Sequence, residues 1–574
     1  MAQQMVRARP RRSKARARTM TGAQILIEAL RREGVQHLFG HPGGASLPIY
    51  DALYDADQVR HILVRHEQVA AHAAAGYARA SGRVGVCTAT SGPGATNLVT
   101  GLTDAMMDSI PVVAITGQVP RPVIGNDAFQ EADIIGVTMP ITKWNTLVMR
   151  VEDVAPAVQR AFYLARTGRP GPVLVDIPRD VSQERSIPEF AQDLALPEYR
   201  PVLDGNPHQI AAAAALLGAA HRPIVYAGGG VISAEASAEL TAFVDRTRIP
   251  VTLTLMGKGA MDETHPCCLG MLGMHGSAFA NFAINGADVI LAVGVRFDDR
   301  VTGRLRDFAP QAQIIHIDID PAEIGKNKPV RVPIVGDARR VLAALAGQVT
   351  PPRIEDWWAQ IRTWQERHSF RYRQHDDRIS AQYVCDLLNR LTGGRAVVTT
   401  DVGQHQMWMA QWYRPRGPRS FISSGGLGTM GFGFPAAMGA KFACPDRQVV
   451  AVVGDGGFQM TMQDLTTAVE HRLALPILIL NNGALGMVRQ WQTFFYRNRR
   501  SASILVNPDF AKVAEAFGAR GIRVDRPEQV EPALRAALAT EDGPTIVDVH
   551  VDPEENCLPM IPSGQSVAEM ILDE

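Results

Sequence analysis

Cysteine is scarce and unpatterned. The six residues Cys87, Cys267, Cys268, Cys385, Cys444 and Cys557 contain no CxxC spacing, which argues against structural zinc and suits a reducing compartment. Excess charge of one sign is missing too. Lysine plus arginine number 58 against 58 acidic residues, so no global field favours nucleic acid or a membrane surface. Long apolar runs are absent: the longest, near Ile210 to Ala220, is alanine-rich and far short of the ~20 residues a span requires. No secretory signal pattern stands at the start. A zincin is excluded as well. His66 and His72 flank Glu67, but HExxH needs a histidine where Ala70 stands.

What is present is a hydrophobic fraction of 46% with 20% charged residues, the balance of a globular chain with a large core. Its length of 574 residues is enough for about three or four domains. The first 20 residues stand apart. Arg7, Arg9, Arg11, Arg12, Lys14, Arg16 and Arg18 occur with no acid before Glu28. That composition reads as a disordered basic tail. An organelle transit peptide is the alternative, although the segment lacks an amphipathic apolar face.

The chain is organised around Val449 to Trp491. An apolar run, Val449 to Val453, reads as a buried parallel strand. Gly454-Asp455-Gly456-Gly457 then reads as a tight turn needing unusual backbone angles. A helix is expected through Glu470, then a second strand, Pro476 to Leu480, ending at Asn481-Asn482. A carboxylate and an amide oxygen thus stand at the carboxyl ends of two strands of one sheet, where such sheets bind ligands. That pair suits Mg²⁺, and the glycine turn lets backbone N–H groups approach phosphate at a helix start.

Taken in order, the chain repeats the βα pattern. TGAQILIEALRREGV is an amphipathic helix with Thr21 as N-cap. HLFG is a strand ending in the loop Gly40-His41-Pro42-Gly43-Gly44-Ala45. Ile62 to Val64 is a strand, with Glu67 at the N-terminus of an alanine-rich helix, where a carboxylate also favours the dipole. TDAMMDSIPVVAITG echoes AVEHRLALPILILNN, a weak internal repeat that suits two related α/β domains. Pro188 to Pro207 reads as a linker. A middle domain follows with helix Gln209–Leu217, strand PIVYA and Gly228-Gly229-Gly230 at the strand end. Asp318 and Asp320 end another strand and could hold a ribose. A second linker, Gly347 to Arg378, carries Trp357, Trp358 and Trp364 at helical spacing, and reads as a helix packed on the domains. Gly426 to Gly431 spells G-x-G-x-x-G with Asp446 about 20 residues on, the pattern of a dinucleotide site. Alone it is weak.

The GDG…NN stretch resembles the diphosphate-binding motif of thiamine diphosphate (ThDP) enzymes. The resemblance assigns Asp455, Asn482 and the carbonyl of Ala484 to the metal. RHEQ…AAGYAR is similar to the family's catalytic glutamate segment, with Glu67 against N1′ of the aminopyrimidine. AFQEADIIGVTMPITKWNTLV resembles the synthase branch. RFDDRVTG and HIDIDPAEIGKNK resemble the flavin domain of acetohydroxyacid synthases. The same glycine string at Gly426 matches the ThDP family, where Met430 would be the bulky residue beneath the cofactor.

From about Thr21 to the C-terminus the resemblance implies three doubly wound parallel-sheet α/β domains. These are a pyrimidine-binding domain at 21–187, a central FAD-binding domain at 208–346 and a diphosphate-binding domain with a C-terminal segment at 379–574. It implies Glu67, Gly44, Gln130 and Lys143 as catalytic residues. Substrate would meet Ala45, Phe129, Met274, Arg300, Met487, Trp491 and Ser563. ThDP would meet Glu67, Val402, Gly403, Gln404, His405, Gly428, Met430, Gly454 to Gly457, Asn482, Leu485, Gly486 and Met487. FAD would meet Arg169, Gly229, Gly230, Met256, His275, Gly294, Arg296, Arg300, Asp318, Ile319 and Asp337. The implied activity is decarboxylation of pyruvate on ThDP and condensation with a second pyruvate or 2-ketobutyrate, toward the branched-chain amino acids. Expected partners are a second copy of the chain, as homodimer or homotetramer, and a small regulatory subunit, with no nucleic acid and no membrane. The expected compartment is the cytoplasm. Rival readings are a flavin-using 2-ketoacid oxidase, a nicotinamide dehydrogenase resting on Gly426 to Gly431, and a catalytically dead binding protein.

Overall fold

In the computed structural model the chain is described over residues 19–191, 194 and 196–572. The arginine-rich stretch up to residue 18 lies outside them, and with it most of the expected basic tail. Three six-stranded sheets follow one another along the chain, and every pairing within them is parallel. Such sheets need both faces covered, which is why their strands read as near-continuous apolar runs.

The first sheet has the order Arg60–Leu63, His37–Gly40, Gly85–Ala89, Val112–Gln118, Val173–Pro178, Trp144–Leu147. The third has Phe421–Ile422, Val397–Thr400, Val449–Gly454, Leu475–Asn481, Pro544–His550, Arg520–Val524. Numbered within each domain, both read 2-1-3-4-6-5. The sequence echo falls on the fourth strand of each, Val112–Gln118 and Leu475–Asn481. The middle sheet differs. Its order is Cys268–Met271, Val251–Leu253, Pro223–Ala227, Val289–Val293, Gln313–Asp318, Val332–Val335, or 3-2-1-4-5-6, the strand order of dinucleotide-binding folds. In all three, the chain reverses direction of strand addition beside the first strand, and a crevice opens at that switch point.

Helix Glu67–Ser81 of the first domain packs on helix Gly433–Ala443 of the third. The approach is close because glycines sit at the contact. A Cβ on Gly76 would stand 2.2 Å from the Ala436 carbonyl oxygen, and one on Gly439 would stand 1.9 Å from that of Ala73. The two domains therefore share one apolar core. Helix Gly22–Arg32 starts at Thr21, whose hydroxyl accepts from the Gln24 N–H in a capping box, as expected. Helix Glu355–His368 packs on the middle domain, also as expected. Trp357 Nε1 donates to the Pro223 carbonyl at 3.2 Å and Trp358 Nε1 to that of Arg248 at 2.8 Å.

Two local expectations need correction. The helix after the Gly454 turn is not continuous to Glu470. It forms Asp455–Gln459, Met462–Asp464 and Leu465–Glu470. The break comes at Thr461, with φ −138° and ψ 8°, where the chain is drawn toward the first domain: the Arg65 N–H donates to Asp464 at 2.8 Å. The glycines of that turn also serve another purpose than unusual angles. None of Gly454, Gly456 and Gly457 has positive φ. A Cβ on Gly454 would lie 2.9 Å from the His405 ring and one on Gly457 would lie 2.6 Å from the Asp401 carboxylate, so they are glycine for close approach.

Candidate active site

Beside the switch point of the third sheet, Asp455 follows strand Val449–Gly454 and Asn482 follows strand Leu475–Asn481. Asp455 is 2% exposed. One oxygen accepts from the Gly456 N–H at 2.9 Å and the other from Asn507 Nδ2 at 2.6 Å. Among the described residues no cation pairs with it, and burial pushes its carboxyl above the usual aspartate range. A buried carboxylate without a counter-charge fits a bound cation. The oxygens at hand, the Asp455 carboxylate and the Asn482 amide, are hard donors of the kind that suit an oxygen-bound divalent ion. Asn482 donates from Nδ2 to Gln404 at 3.2 Å, and its Oδ1 accepts from the Ala484 N–H at 3.1 Å. Of the double asparagine, Asn481 is structural: it donates to the buried Asp548 at 2.9 Å.

Around this pair lie Val402, Gly403, Gln404 and His405, at the end of strand Val397–Thr400 and the start of helix Gln404–Trp412. His405 is buried between Gly403 and Gly454, and burial lowers its pKa to about 3, so the ring is neutral. The Met430 methyl lies 3.6 Å from where a Cβ of Gly456 would be, over the turn. Leu485 N-caps helix Gly486–Phe495, which carries Met487 and Trp491 one turn apart.

The first sheet builds a second group beside its own switch point. Glu67 opens its helix, 9% exposed, and accepts from Asn97 Nδ2 at 2.9 Å. Its other oxygen is 3.2 Å from where a Cβ of Gly94 would stand. The buried phenol of Tyr50 has its pKa raised by burial and by the Glu67 charge. Ala45 donates to Thr90 at 3.3 Å, and Gly44 beside it faces open space. Gln130, at φ 60°, presses its backbone against Gly92. Its neighbour Phe129 is 88% exposed.

A cavity of about 1270 Å³ runs between the middle and third domains and the edge of the first. Every residue expected to meet FAD lines it: Arg169, Gly229, Gly230, Met256, His275, Gly294, Arg296, Arg300, Asp318, Ile319 and Asp337. So do Met274, Val402, Gly403, Gly428, Met430, Met487 and Trp491. Gly230 and Gly294 meet at the switch point of the middle sheet, where a Cβ on Gly230 would be 2.5 Å from the Gly294 Cα. Burial raises the pKa of Asp318 to about 6. Arg169 pairs with Asp320 at 3.2 Å and Glu323 at 2.7 Å, so Asp320 is engaged by an arginine here. Arg300 is exposed beside Met274, its Nη1 3.9 Å from the sulfur.

Glu67, Gly44, Ala45, Phe129, Gln130, Lys143 and Ser563 do not line that cavity in a single chain. Lys143 is not brought beside Gln130. Its ammonium is capped by the carbonyls of Leu164 and Thr167, the latter at 2.8 Å, and burial lowers its pKa to about 8. Ser563 is exposed in the C-terminal segment, which crosses Met274 where the Ile561 N–H donates to its carbonyl at 2.8 Å. The G-x-G-x-x-G string is no phosphate cradle. The N–H groups of Gly425 and Gly426 donate to Asp108 at 3.1 and 2.7 Å, and those of Gly431 and Gly433 to Asp401 at 3.0 and 3.1 Å.

Residues 20–137, 210–345 and 401–549 match the N-terminal TPP binding, central and C-terminal TPP binding domains of the thiamine pyrophosphate enzymes. The chain belongs to that family. It is 50% identical over 563 residues to an acetolactate synthase of Mycobacterium bovis, covering 96% of this chain and 91% of the relative. It is 51% identical over 570 residues to an acetolactate synthase large subunit of Parasynechococcus marenigrum, with coverage of 96% and 91%. A probable acetolactate synthase large subunit of Methanocaldococcus jannaschii is 49% identical over 569 residues, covering 96% and 95%. Sequence reasoning missed Tyr50, Asn97 and Asn507, which bear on Glu67 and Asp455 only through the fold. No helix among the described residues is long and apolar enough to cross a membrane.

Proposed function

We propose that this chain is the catalytic subunit of an acetohydroxyacid synthase. It would decarboxylate pyruvate and join the remaining two-carbon unit to a second pyruvate or to 2-ketobutyrate, giving 2-acetolactate or 2-aceto-2-hydroxybutyrate. The observation that carries this reading is the pair of half-sites. Glu67 opens the helix after edge strand Arg60–Leu63 and reaches Asn97 in the segment after Gly85–Ala89, beside the switch point of the first sheet, and Asp455 and Asn482 follow the neighbouring strands Val449–Gly454 and Leu475–Asn481 of the third, in domains with one strand order.

ThDP, when bound, supplies the carbon nucleophile and the sink for the electron pair released with CO₂. In this reading the residues do the rest. Asp455, Asn482 and the Ala484 carbonyl would hold Mg²⁺, with Gly454, Gly456 and Gly457 giving backbone access and His405 and Gln404 beside them. Val402, Gly403, Gly428, Leu485, Gly486 and Met487 would surround the cofactor, and Met430 would pack against it. Glu67 would share a proton with N1′ of the aminopyrimidine and so govern proton transfer at the cofactor's reacting carbon, with Asn97 orienting it. No other strong base is required. Gly44 and Gln130 face the reacting groups. Ala45, Phe129 and Ser563 would contribute to the channel, whereas the Lys143 ammonium is held at the end of helix Val154–Arg166. Met274, Met487 and Trp491 form its apolar wall, and Arg300 receives the acceptor carboxylate by paired hydrogen bonds.

Glu67 shares no hydrogen bond with Asp455 or Asn482 among the described residues. In this reading, as the family resemblance implies, a complete site combines the first domain of one chain with the third of a second copy, so a homodimer would be the minimum unit, with a tetramer as a further assembly. FAD would occupy the cavity at Arg169, Gly229, Gly230, Met256, His275, Gly294, Arg296, Asp318, Ile319 and Asp337, without a net redox role, since joining a carbanion equivalent to a ketone consumes no oxidant. A small regulatory subunit is the expected protein partner, and the cytoplasm the expected compartment. Purified chain given pyruvate, ThDP, Mg²⁺ and FAD should form 2-acetolactate, and omission of ThDP should abolish it. A chain that binds ThDP and leaves pyruvate unchanged would refute the reading.

A further inference from the structure

Gln490 has none of its surface exposed and lies one helical turn beyond Gly486, facing away from the cavity that Trp491 lines. Its amide is gripped by groups whose polarity is fixed. The Cys557 N–H can only donate, and it donates to Gln490 Oε1 at 2.8 Å. The Cys557 carbonyl can only accept, and it takes Gln490 Nε2 at 3.1 Å. These two backbone groups decide which end of the side chain is oxygen.

The orientation then passes along the chain of amides. Gln404 Nε2 donates to Gln490 Oε1 at 2.8 Å and to the Glu555 carbonyl at 3.0 Å. With its nitrogen held there, Gln404 turns Oε1 to Asn482 and accepts from Nδ2 at 3.2 Å. Asn482 is left with Oδ1 on its other side. That oxygen accepts one N–H, from Ala484, and has a second lone pair for a cation. A reversed Asn482 would point an NH₂ group at the ion. Gly486 leaves the passage clear: a Cβ there would stand 2.2 Å from Gln404 Oε1 and 2.6 Å from Asn482 Nδ2.

We propose that Gln490 is a positioning residue for the divalent cation. Through Gln404 it fixes the Asn482 amide oxygen-first, and through Cys557 it ties that orientation to the C-terminal segment that crosses Met274. Groups behind a metal ligand typically change affinity by about 10–100-fold when removed. The Glu555 carbonyl still holds Gln404 when Gln490 is gone, so the effect belongs at the lower end of that range.

The inference rests on the reading of Asp455 and Asn482 as cation ligands, and the test separates the two. Mn²⁺ is titrated by electron paramagnetic resonance into the full-length chain with ThDP present, with thermal melting of the metal-free chain as the folding control. Gln490→Met should weaken Mn²⁺ binding by roughly tenfold while the metal-free melting temperature stays near the parent's. The decisive comparison is the cycle with Asn482→Ala. If Gln490 acts through Asn482, Gln490→Met has little further effect once that amide is gone; a general loosening of the fold would add in full. Where Gln490→Met does not fold, Gln490→Leu, which likewise removes the acceptor that holds Gln404, is read in the same cycle. Parent-like Mn²⁺ affinity in the folded variant, or additive losses in the cycle, would overturn the proposal. A parent chain that takes up no Mn²⁺ with ThDP would overturn the cation reading beneath it.

Discussion

Arg79 donates to Asp104 across 2.8 Å, an ion pair with the arginine side chain 5% exposed and the aspartate 0%. The same guanidinium reaches Asp108 at 3.0 Å and the Ser423 carbonyl at 2.8 Å. Asp104 in turn accepts from Ser424, and Asp108 from Gly425 and Gly426. One buried arginine of the first domain thus holds, through two carboxylates, the glycine loop of the third that carries Gly428 and Met430 to the cavity.

Removing that arginine leaves two buried carboxylates without a cation. Arg79→Met should cost about 3–5 kcal/mol, the usual loss when one partner of a buried pair is deleted. Urea unfolding followed by tryptophan fluorescence reads it as a lowered midpoint. Arg306→Ala, at an exposed pair 3.5 Å from Asp307, is the control and should change the midpoint little.

Asp176 is buried within strand Val173–Pro178, accepting from Thr116 at 2.7 Å and Gln118 at 3.0 Å, and burial lifts its pKa to about 7. A carboxyl whose folded pKa lies above its unfolded value binds more protons when folded, so its contribution to stability falls as pH rises from about 4 to about 7 and is level above that. Asp176→Asn removes this slope. The stability of the variant relative to the parent should therefore climb across that window in thermal melts at stepped pH. A difference independent of pH would place the Asp176 pKa elsewhere.

Glu67→Gln should fold and bind ThDP yet lose about 10²–10⁴-fold of proton exchange at the cofactor's reacting carbon, the range for a positioned acid–base group. Asp455→Ala should lose metal-dependent ThDP affinity. Neither variant alone should turn over. If sites are shared between two copies, reassembling the two variants together restores one intact site in each mixed dimer, and random pairing gives about a quarter of the parent activity. No recovery would mean that one chain supplies both halves of its own site.

Trp491 lines the cavity one turn after Met487. One methylene in an apolar pocket is worth roughly 1–3 kcal/mol, so a wall residue can set acceptor preference by about tenfold to a hundredfold. Trp491→Leu should lower the preference for 2-ketobutyrate over pyruvate while CO₂ release from the first pyruvate stays near the parent rate. The product ratio in a competition between the two ketoacids measures it. An unchanged ratio would assign the pocket to other residues.

The placement of Asp455, Asn482 and Glu67 was legible because each sits at a strand end or helix start that the local pattern marks: a buried run, a glycine turn, a paired asparagine. The three sheets were legible from alternating apolar runs and helices. What was not legible depends on distant pairing. Asn507 reaches Asp455 from 52 positions away, and Asn97 reaches Glu67 from 30 away, with nothing in either local sequence to announce a partner. The break at Thr461 is imposed by the first domain, against a helical local pattern. Lys143 follows the rule for cations at helix C-termini: its ammonium takes the carbonyls that end helix Val154–Arg166, and a short motif says nothing of that helix being near. The Gly426 string has the spacing of a phosphate loop, but Asp108 and Asp401, remote in sequence, already occupy its N–H groups.

The most direct measurement is the carbon balance with ¹³C-labelled pyruvate as sole substrate, in the presence of ThDP, Mg²⁺ and FAD and without an electron acceptor. Carboligation gives one CO₂ for each 2-acetolactate, no acetaldehyde and no acetate, and leaves the flavin absorption band in its oxidised form through many turnovers. Release of acetaldehyde, or of acetate with bleaching of the flavin, would contradict the assignment of this chain as an acetohydroxyacid synthase.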